Sequence, residues 1–253
     1  MSRFSAFMRG LVPPKPAQIT RDGHVVSLVH AYYGPLRVLA EDTAISQHMC
    51  DAVSVWEADI VKLFAREFQP GRNVIDAGAN LGLHTIALAK LATRGEKIYA
   101  FEPHPEILPL TRFNCGEHPN VECIGKAASD EVGVLYMPSI VAAQNAGSGQ
   151  VFADQAGLPY AVEAVTIDSL CLSNIGLMKI DVEGHEMSCI RGAKETIRRD
   201  RPTLIVEICG GSSLDTAAPA TAAMIRSRIA EICDLGYSVT QVSTHDYLFH
   251  PVG

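Results

Sequence analysis

The sequence has no pair of cysteines at the Cys-x-x-Cys spacing, although it contains seven cysteines. An odd number of cysteines without this spacing argues against both a disulfide framework and a zinc site. Several of these cysteines lie in apolar stretches, where a reduced thiol behaves as a small hydrophobic side chain. We therefore expect the protein to work in the reducing cytoplasm.

The sequence also has no apolar run of the roughly 20 residues that a membrane-spanning helix needs. Its N-terminal segment has no apolar stretch of signal-peptide length. The 21 Lys and Arg residues are outnumbered by 28 Asp and Glu residues, which gives a formal net charge of −7. Because a net-acidic chain has no general attraction to a phosphate backbone, the composition disfavours nucleic acid as a partner.

A folded globular protein is indicated by the 47% of hydrophobic and 19% of charged residues. From residue 73 onwards the pattern alternates between strand and helix, which predicts an α/β fold with a doubly wound, mainly parallel sheet. Helices should cover both faces, and an antiparallel strand should close the sheet. The predicted strands are 73–77, 97–101, 121–124, 177–180, 203–208, 237–241 and 247–250; the predicted helices are 83–91, 106–115, 186–199 and about 215–234.

The segments before residue 73 and within 139–161 do not follow this alternation. Residues 1–22 form a proline-containing lead, 24–40 suggest a hairpin around Gly34-Pro35, and 51–68 have the apolar face of a helix. We expect residues 1–55 to pack on a main domain of residues 56–253. The glycine-containing stretch 139–161 is predicted to be a long loop that covers a ligand.

The segment from Asp76 to Gly82 links a predicted strand directly to a predicted helix. Glycines at 78 and 82 allow a sharp turn and the close approach of a ligand, and the helix start offers N–H donors. Asp76 is placed to engage a cationic or hydrogen-bonding group of that ligand. Because the third glycine of the dinucleotide fingerprint is missing and Asn80 stands in the loop, a pyrophosphate is disfavoured.

Two further acidic residues follow the next strands. Glu102 lies 24 residues after Gly78, where a carboxylate can accept both hydroxyls of a ribose; a solvated strand end is the alternative. The Ser129-Asp130 position follows the third strand and can reach an adenine amino group. Helix capping or turn formation explains Asp130 equally well.

Five ordered motifs in this sequence resemble those of the FkbM family of methyltransferases: DAGANLG, AFEPHP, AASDEVG, VTIDSL and LMKIDVEGHE. The resemblance covers about residues 56–208. It implies a class I, Rossmann-like fold, S-adenosylmethionine as the methyl donor and a hydroxyl oxygen as the acceptor. Sugars and secondary metabolites are the usual substrates of such relatives, and the flanks carry no motif that names this acceptor.

The resemblance also assigns residues by position. Asp76, Gly78, Asn80 and Gly82 would hold the methionine part of the cofactor, and Glu102 its ribose. Pro103 and His104 would pack beside the adenine ring, with Ser129 and Asp130 close to it.

The segment KIDVEGHE brings Asp181 to the end of the fourth strand and His185 to the start of the next helix. Either side chain could take the proton of a hydroxyl acceptor, and Glu207 on the same sheet edge could orient them. Asp181 could instead cap the helix or hold the amino group of the cofactor, and His185 and Glu207 could be structural. A metal ion on Asp181 and Glu207 is conceivable, but no third ligand is evident, and we expect metal-independent chemistry.

Three other functions remain open at this point. A nicotinamide-dependent oxidoreductase is disfavoured by the missing glycine and by KIDVEGHE. A non-catalytic cofactor-binding module is disfavoured by the acidic residues Asp76, Glu102 and Asp181. A nucleic-acid methyltransferase is disfavoured because neither a basic stripe nor an NPPY-type segment is present. The sequence does not indicate an oligomeric state.

Overall fold

The computed structural model describes residues 17–51, 54–143, 149–155, 157–208 and 217–253. Most of the predicted N-terminal lead, part of the 139–161 segment and the first residues of the last predicted helix lie outside these ranges. No helix in the described ranges combines the length and the apolar composition needed to cross a membrane.

Strands and helices occupy most of the described residues. In chain order they are β1 (Ala17–Asp22), β2 (Val25–His30), β3 (Gly34–Leu39), α1 (Ile45–Asp51), α2 (Ala58–Glu67), β4 (Asn73–Ala77), α3 (Leu83–Leu91), β5 (Ile98–Phe101), α4 (Leu108–Asn114), β6 (Val121–Ile124), β7 (Ala127–Ala128), β8 (Gly133–Met137), α5 (Ile140–Ala143), β9 (Tyr160–Val165), β10 (Ile175–Ile180), α6 (Glu186–Arg191), α7 (Lys194–Asp200), β11 (Thr203–Glu207), α8 (Pro219–Cys233), β12 (Tyr237–Gln241) and β13 (Asp246–Pro251).

The central sheet has seven strands in the order β12-β13-β11-β10-β4-β5-β6. The five strands from β11 to β6 are parallel, whereas β13 pairs antiparallel with both β11 and β12. The predicted α/β fold with an antiparallel closing strand is therefore confirmed. Strand order reverses between β4 and β10, which puts a topological switch point at their carboxyl ends.

Alternate residues of the central strands enter two hydrophobic clusters, one on each face of the sheet. Val74 and Leu177 belong to the cluster that includes α2 and α3. Ile75 and Met178 belong to the cluster that includes α6, α7 and α8. Burial on both faces explains why these strands are apolar runs rather than alternating patterns.

The predicted helix 186–199 is wrong as a single element, because it is divided into α6 and α7 around Gly192. A Cβ atom at Gly192 would lie 1.8 Å from the carbonyl oxygen of Ser129. The sequence therefore keeps its helical pattern across residue 192. The helix itself is interrupted there, because the backbone at Ser129 packs closely against Gly192.

The predicted loop 139–161 is wrong at both ends. Residues 140–143 form α5, and β9 begins at residue 160. Strand β9 pairs with β7 and β8 in a second, three-stranded sheet that the alternation did not predict. Strand β8 has only one fully buried side chain, Met137, so its apolar pattern carries little signal.

The predicted hairpin 24–40 is confirmed as β2 and β3, but residues 17–22 of the predicted irregular lead form a third strand, β1. The predicted helix 51–68 starts too early, since α2 begins at Ala58 and follows Glu57 at a φ of 43°. Leu36 and Val38 of β3 share a hydrophobic cluster with Phe64 of α2 and Leu248 of β13. The N-terminal sheet thus packs against the same core as the central sheet.

Candidate functional site

A cavity of about 350 Å³ lies at the carboxyl ends of β4, β5 and β10, at the topological switch point. Its volume falls within the range of small-molecule sites. Eight predicted site residues line it: Gly78, Asn80, Glu102, Pro103, His104, Asp181, His185 and Glu207. Four others lie outside its walls: Asp76, Gly82, Ser129 and Asp130.

The glycines of the first loop are required by the packing of the chain itself. Gly78 has a φ of 86°, and a Cβ atom there would lie 1.7 Å from the carbonyl oxygen of Asp181. Gly82 has a φ of 82°, and its Cβ would lie 2.8 Å from Sγ of Cys115. The prediction that both glycines make room for a ligand therefore needs correction, because Gly82 faces the end of α4 instead of the cavity.

Glu102 is buried at the end of β5 and faces the cavity. Its two carboxyl oxygens accept hydrogen bonds of 2.8 Å from the backbone N–H groups of Asn80 and His104. Burial raises the pKa of this carboxyl group to about 7, against the effect of the two donors. A carboxyl group fixed in this way retains lone pairs for a ribose diol, so the residues present fit the predicted cofactor.

Asp76 is fully buried beneath the cavity wall. It accepts a hydrogen bond of 2.6 Å from the Thr85 hydroxyl, and its other carboxyl oxygen lies 3.8 Å from Nζ of Lys179. Burial raises the pKa of Asp76. Asp76 therefore contacts Lys179 and helix α3, and it does not line the cavity.

Lys179 is a site residue that the sequence analysis missed. It is 5% exposed, and its Nζ lies 2.9 Å from Oδ2 of Asp181. Burial favours the neutral amine, but the carboxylates of Asp181 and Asp76 raise the pKa of Lys179 overall. One feature of the sequence could have indicated this role: Lys179 is the one charged residue of β10, a strand in which all six residues are buried.

The carboxyl groups of Asp181 and Glu207 are neighbours in the cavity wall. Burial opposes ionisation of Asp181, but the Lys179 ammonium and the neighbouring Glu207 hold its pKa below the usual value. Burial and the neighbouring Asp181 raise the pKa of Glu207 to about 9. At neutral pH, Glu207 is therefore the protonated member of this pair and Asp181 the ionised one.

His185 precedes α6 and lines the cavity. Its Nε2 lies 2.9 Å from Oγ of Ser129, and burial lowers the pKa of its imidazole, which favours the neutral form. Asp130 lies outside the cavity, where its carboxylate is 3.3 Å from Nε of Arg191. Proximity of Asp130 to an adenine stays a prediction, and Ser129 contacts the site through His185.

Glu57 and His84 also line the cavity and were missed by the sequence analysis. The Glu57 Oε2 atom lies 3.3 Å from Nε2 of His84. Burial raises the pKa of Glu57 to about 7 and lowers the pKa of His84 to about 3. In the sequence, only the polar His84 within the apolar helix LHTIALAKL could have indicated this part of the site. No pattern around Glu57 distinguishes it from a surface glutamate.

Residues 137–141 form the outer wall of the cavity, and hydrogen bonds to His104 and Glu106 hold this segment in place. The Nε2 atom of His104 donates to the carbonyl oxygen of Pro138 at 2.8 Å. The Glu106 carboxylate accepts hydrogen bonds from the hydroxyls of Ser139 and Tyr160 and from two N–H groups at the start of α5. These bonds place Met137 and Ile140 in the wall.

In the part of the chain that the structure describes, no group of three or more His, Cys, Asp or Glu side chains has an arrangement that could hold a metal ion.

Two characterised relatives and a family model match this sequence. Residues 76–239 match the family model described as Methyltransferase FkbM domain. The hexuronic acid methyltransferase AglP of Haloferax volcanii is 25% identical over 61% of this chain and 63% of its own length. The 31-O-demethyl-FK506 methyltransferase FkbM of Streptomyces tacrolimicus is 28% identical over 72% of this chain and 78% of its own. The match thus spans under two thirds of the Haloferax protein.

The fold is also similar to that of solved methyltransferases. Fibrillarin of Aeropyrum pernix, crystallised with natively bound S-adenosyl-L-methionine, covers 94% of this chain and 99% of its own at a TM-score of 0.50. At 10% sequence identity, this likeness concerns the fold alone. The central sheet is that of the class I, Rossmann-like methyltransferases.

Proposed function

Because the chain belongs to the FkbM family of methyltransferases, we propose that it transfers the methyl group of S-adenosylmethionine to a hydroxyl oxygen of a sugar or secondary metabolite. The observation that carries this proposal is the buried Glu102 carboxyl group, facing a cavity whose far side holds the Asp181–Glu207 pair. The relatives from Haloferax and Streptomyces, named for a hexuronic acid and for 31-O-demethyl-FK506, support a hydroxylated acceptor.

The cofactor half of the cavity would be formed by the ends of β4 and β5. Glu102 would accept the two ribose hydroxyls, and Pro103 and His104 would contact the adenine. Gly78 and Asn80 would lie along the methionine part. When bound, S-adenosylmethionine supplies a methyl group activated by a sulfonium.

The acceptor half would be formed by Asp181, His185 and Glu207. The acceptor hydroxyl must lose its proton as its oxygen is methylated, and a group within hydrogen-bond reach assists this loss. Asp181 is ionised beside Lys179, and His185 is neutral, so either can accept the proton. Glu207 carries a proton already and therefore orients Asp181. Neither assignment needs a metal ion.

The proposal is tested by incubating the protein with S-adenosylmethionine carrying a ¹³C-methyl group and a panel of hydroxylated sugars and metabolites. We expect ¹³C NMR to show an O-methyl product that forms equally well with a chelator present. An Asp181→Asn or a His185→Ala variant should lose about 100- to 10,000-fold in turnover while still binding S-adenosylhomocysteine, and wild-type turnover in both would contradict the assignment of a base.

Calorimetric titration separates the cofactor from its competitors. S-adenosylhomocysteine should bind and NAD should not, and Glu102→Ala should weaken binding by about 1–3 kcal/mol. Tight NAD binding without S-adenosylhomocysteine binding would contradict the proposal. A methyl group found on nitrogen or carbon would contradict O-methylation alone.

A further inference from the structure

A second cavity, here called the groove, adjoins the first and has a volume of about 770 Å³. It lies between α2 and the turn that joins β12 to β13, residues 242–245. Glu57 and Glu207 line both the groove and the first cavity. The groove therefore leads from the surface to the place where we put the acceptor hydroxyl.

Beside Glu57, the first cavity contains a buried polar atom for which the described residues supply no hydrogen-bond partner. His84 is 7% exposed, and its Nε2 atom makes no hydrogen bond within the described part of the chain, although the Glu57 carboxyl group lies 3.3 Å away. Buried polar groups in native proteins are nearly always satisfied, and an exception calls for an explanation such as a ligand. The neutral imidazole of His84 can donate or accept, so a hydroxyl group would satisfy it.

Carboxyl and hydroxyl groups dominate the polar walls of the groove. They come from Glu57, Asp59, Glu207, Ser243, Thr244 and Asp246. The basic side chains of the groove are Lys62, Arg66 and His245, and those of Lys62 and Arg66 lie 2.6 Å and 2.9 Å from the carboxylates of Asp59 and Glu67. Carboxylate and hydroxyl oxygens that accept hydrogen bonds, together with the protonated Glu207 that can donate one, suit a molecule with many hydroxyl groups.

We propose that the groove binds the methyl acceptor, that this acceptor is a polyhydroxylated molecule such as a glycoside, and that Glu57 and His84 hydrogen-bond one of its hydroxyls. The inference rests on the proposed function, because only a methyltransferase needs an acceptor beside the cofactor. The left-handed backbone at Glu57, with a φ of 43°, turns the chain at the junction where the two cavities meet.

The test measures glycoside binding to the protein loaded with S-adenosylhomocysteine, by saturation-transfer NMR. The probes are the methyl glycosides of glucose, galactose, rhamnose and glucuronic acid. We expect at least one of these glycosides to bind. Thr244→Trp should fill the groove and weaken this binding at least tenfold, whereas Thr240→Trp, on the exposed face of β12, should leave it unchanged.

Glu57→Gln should lower the affinity for the same glycoside about tenfold, which is the usual effect of losing a hydrogen bond to a charged group. Affinity for S-adenosylhomocysteine should stay constant in all three variants. The inference is overturned if no glycoside binds to the loaded protein, or if Thr244→Trp or Glu57→Gln binds the glycoside as the wild type does. Absence of S-adenosylhomocysteine binding would contradict the proposed function itself.

Discussion

Glu102 shows how much of a site residue can be predicted from its position. Its place at the end of the second strand of the alternating region indicated a ligand-facing carboxylate, and the structure puts it at the cavity. The pKa could not be predicted, because it depends on burial and on N–H donors from Asn80 and His104. Lys179 and Glu57 were missed for the same reason: their partners Asp76 and His84 lie far away in the chain and are brought close only by the fold.

The raised pKa of Glu102 predicts a pH-dependent contribution to stability. The folded-state pKa of about 7 lies above the unfolded value, so the contribution is full below about pH 4.5 and is lost as the pH rises through 7. Glu102→Gln cannot ionise and should lack this fall. The difference in unfolding free energy between wild type and variant should therefore change by about 3 kcal/mol between pH 4.5 and 8, as measured by urea unfolding.

Glu122→Gln is the matched control, since Glu122 is exposed on the neighbouring strand β6. Its stability should follow the wild-type curve at every pH. Parallel curves for wild type and Glu102→Gln would show that Glu102 titrates with an ordinary pKa in the folded protein.

At the scale of elements, the parallel strands were predicted well because each is a short apolar run that is buried on both faces. The second sheet was not predicted, because β7 has two residues and β8 leaves Val134 exposed. Strand β9 lay partly within a stretch whose glycines indicated a loop. The 139–161 segment remains a predicted ligand cover, and its described part supplies Ile140, Gly149 and Val151 to the cavity wall.

The Glu106 carboxylate should control how firmly this wall is held. Glu106→Gln keeps the size of the side chain but weakens four hydrogen bonds, to Ser139, Ile140, Val141 and Tyr160. We expect the amide hydrogens of Ile140 and Val141 to exchange roughly tenfold faster in this variant. Hydrogen exchange followed by mass spectrometry measures this, and Glu122→Gln again serves as the control. Unchanged exchange at residues 140 and 141 would show that packing of Met137 and Ile140 alone holds the wall.

At the scale of the whole molecule, the sequence predicted a mainly parallel central sheet with an antiparallel closing strand, but not how the flanking segments join it. Short-range patterns in the sequence predict strands and helices. Contacts such as those of Val38 with the core join residues that are far apart in the chain, and no short-range pattern predicts them. The expected division into a packed N-terminal segment and a main domain stays a proposal. The shared hydrophobic cluster favours one cooperative unit, because neither part can expose this cluster without losing its burial.

We therefore predict that the N-terminal and central sheets unfold together. Val38→Ala removes a fully buried side chain from β3 and should lower the unfolding free energy by about 2 kcal/mol. Val29→Ala, on β2, removes a side chain that is 39% exposed and should have a much smaller effect. Far-UV circular dichroism and the fluorescence of Trp56, the one tryptophan of the chain, should give the same transition in each variant. If the unfolding midpoint of Val38→Ala shifts when it is followed by one probe and not by the other, the N-terminal sheet unfolds as a separate unit.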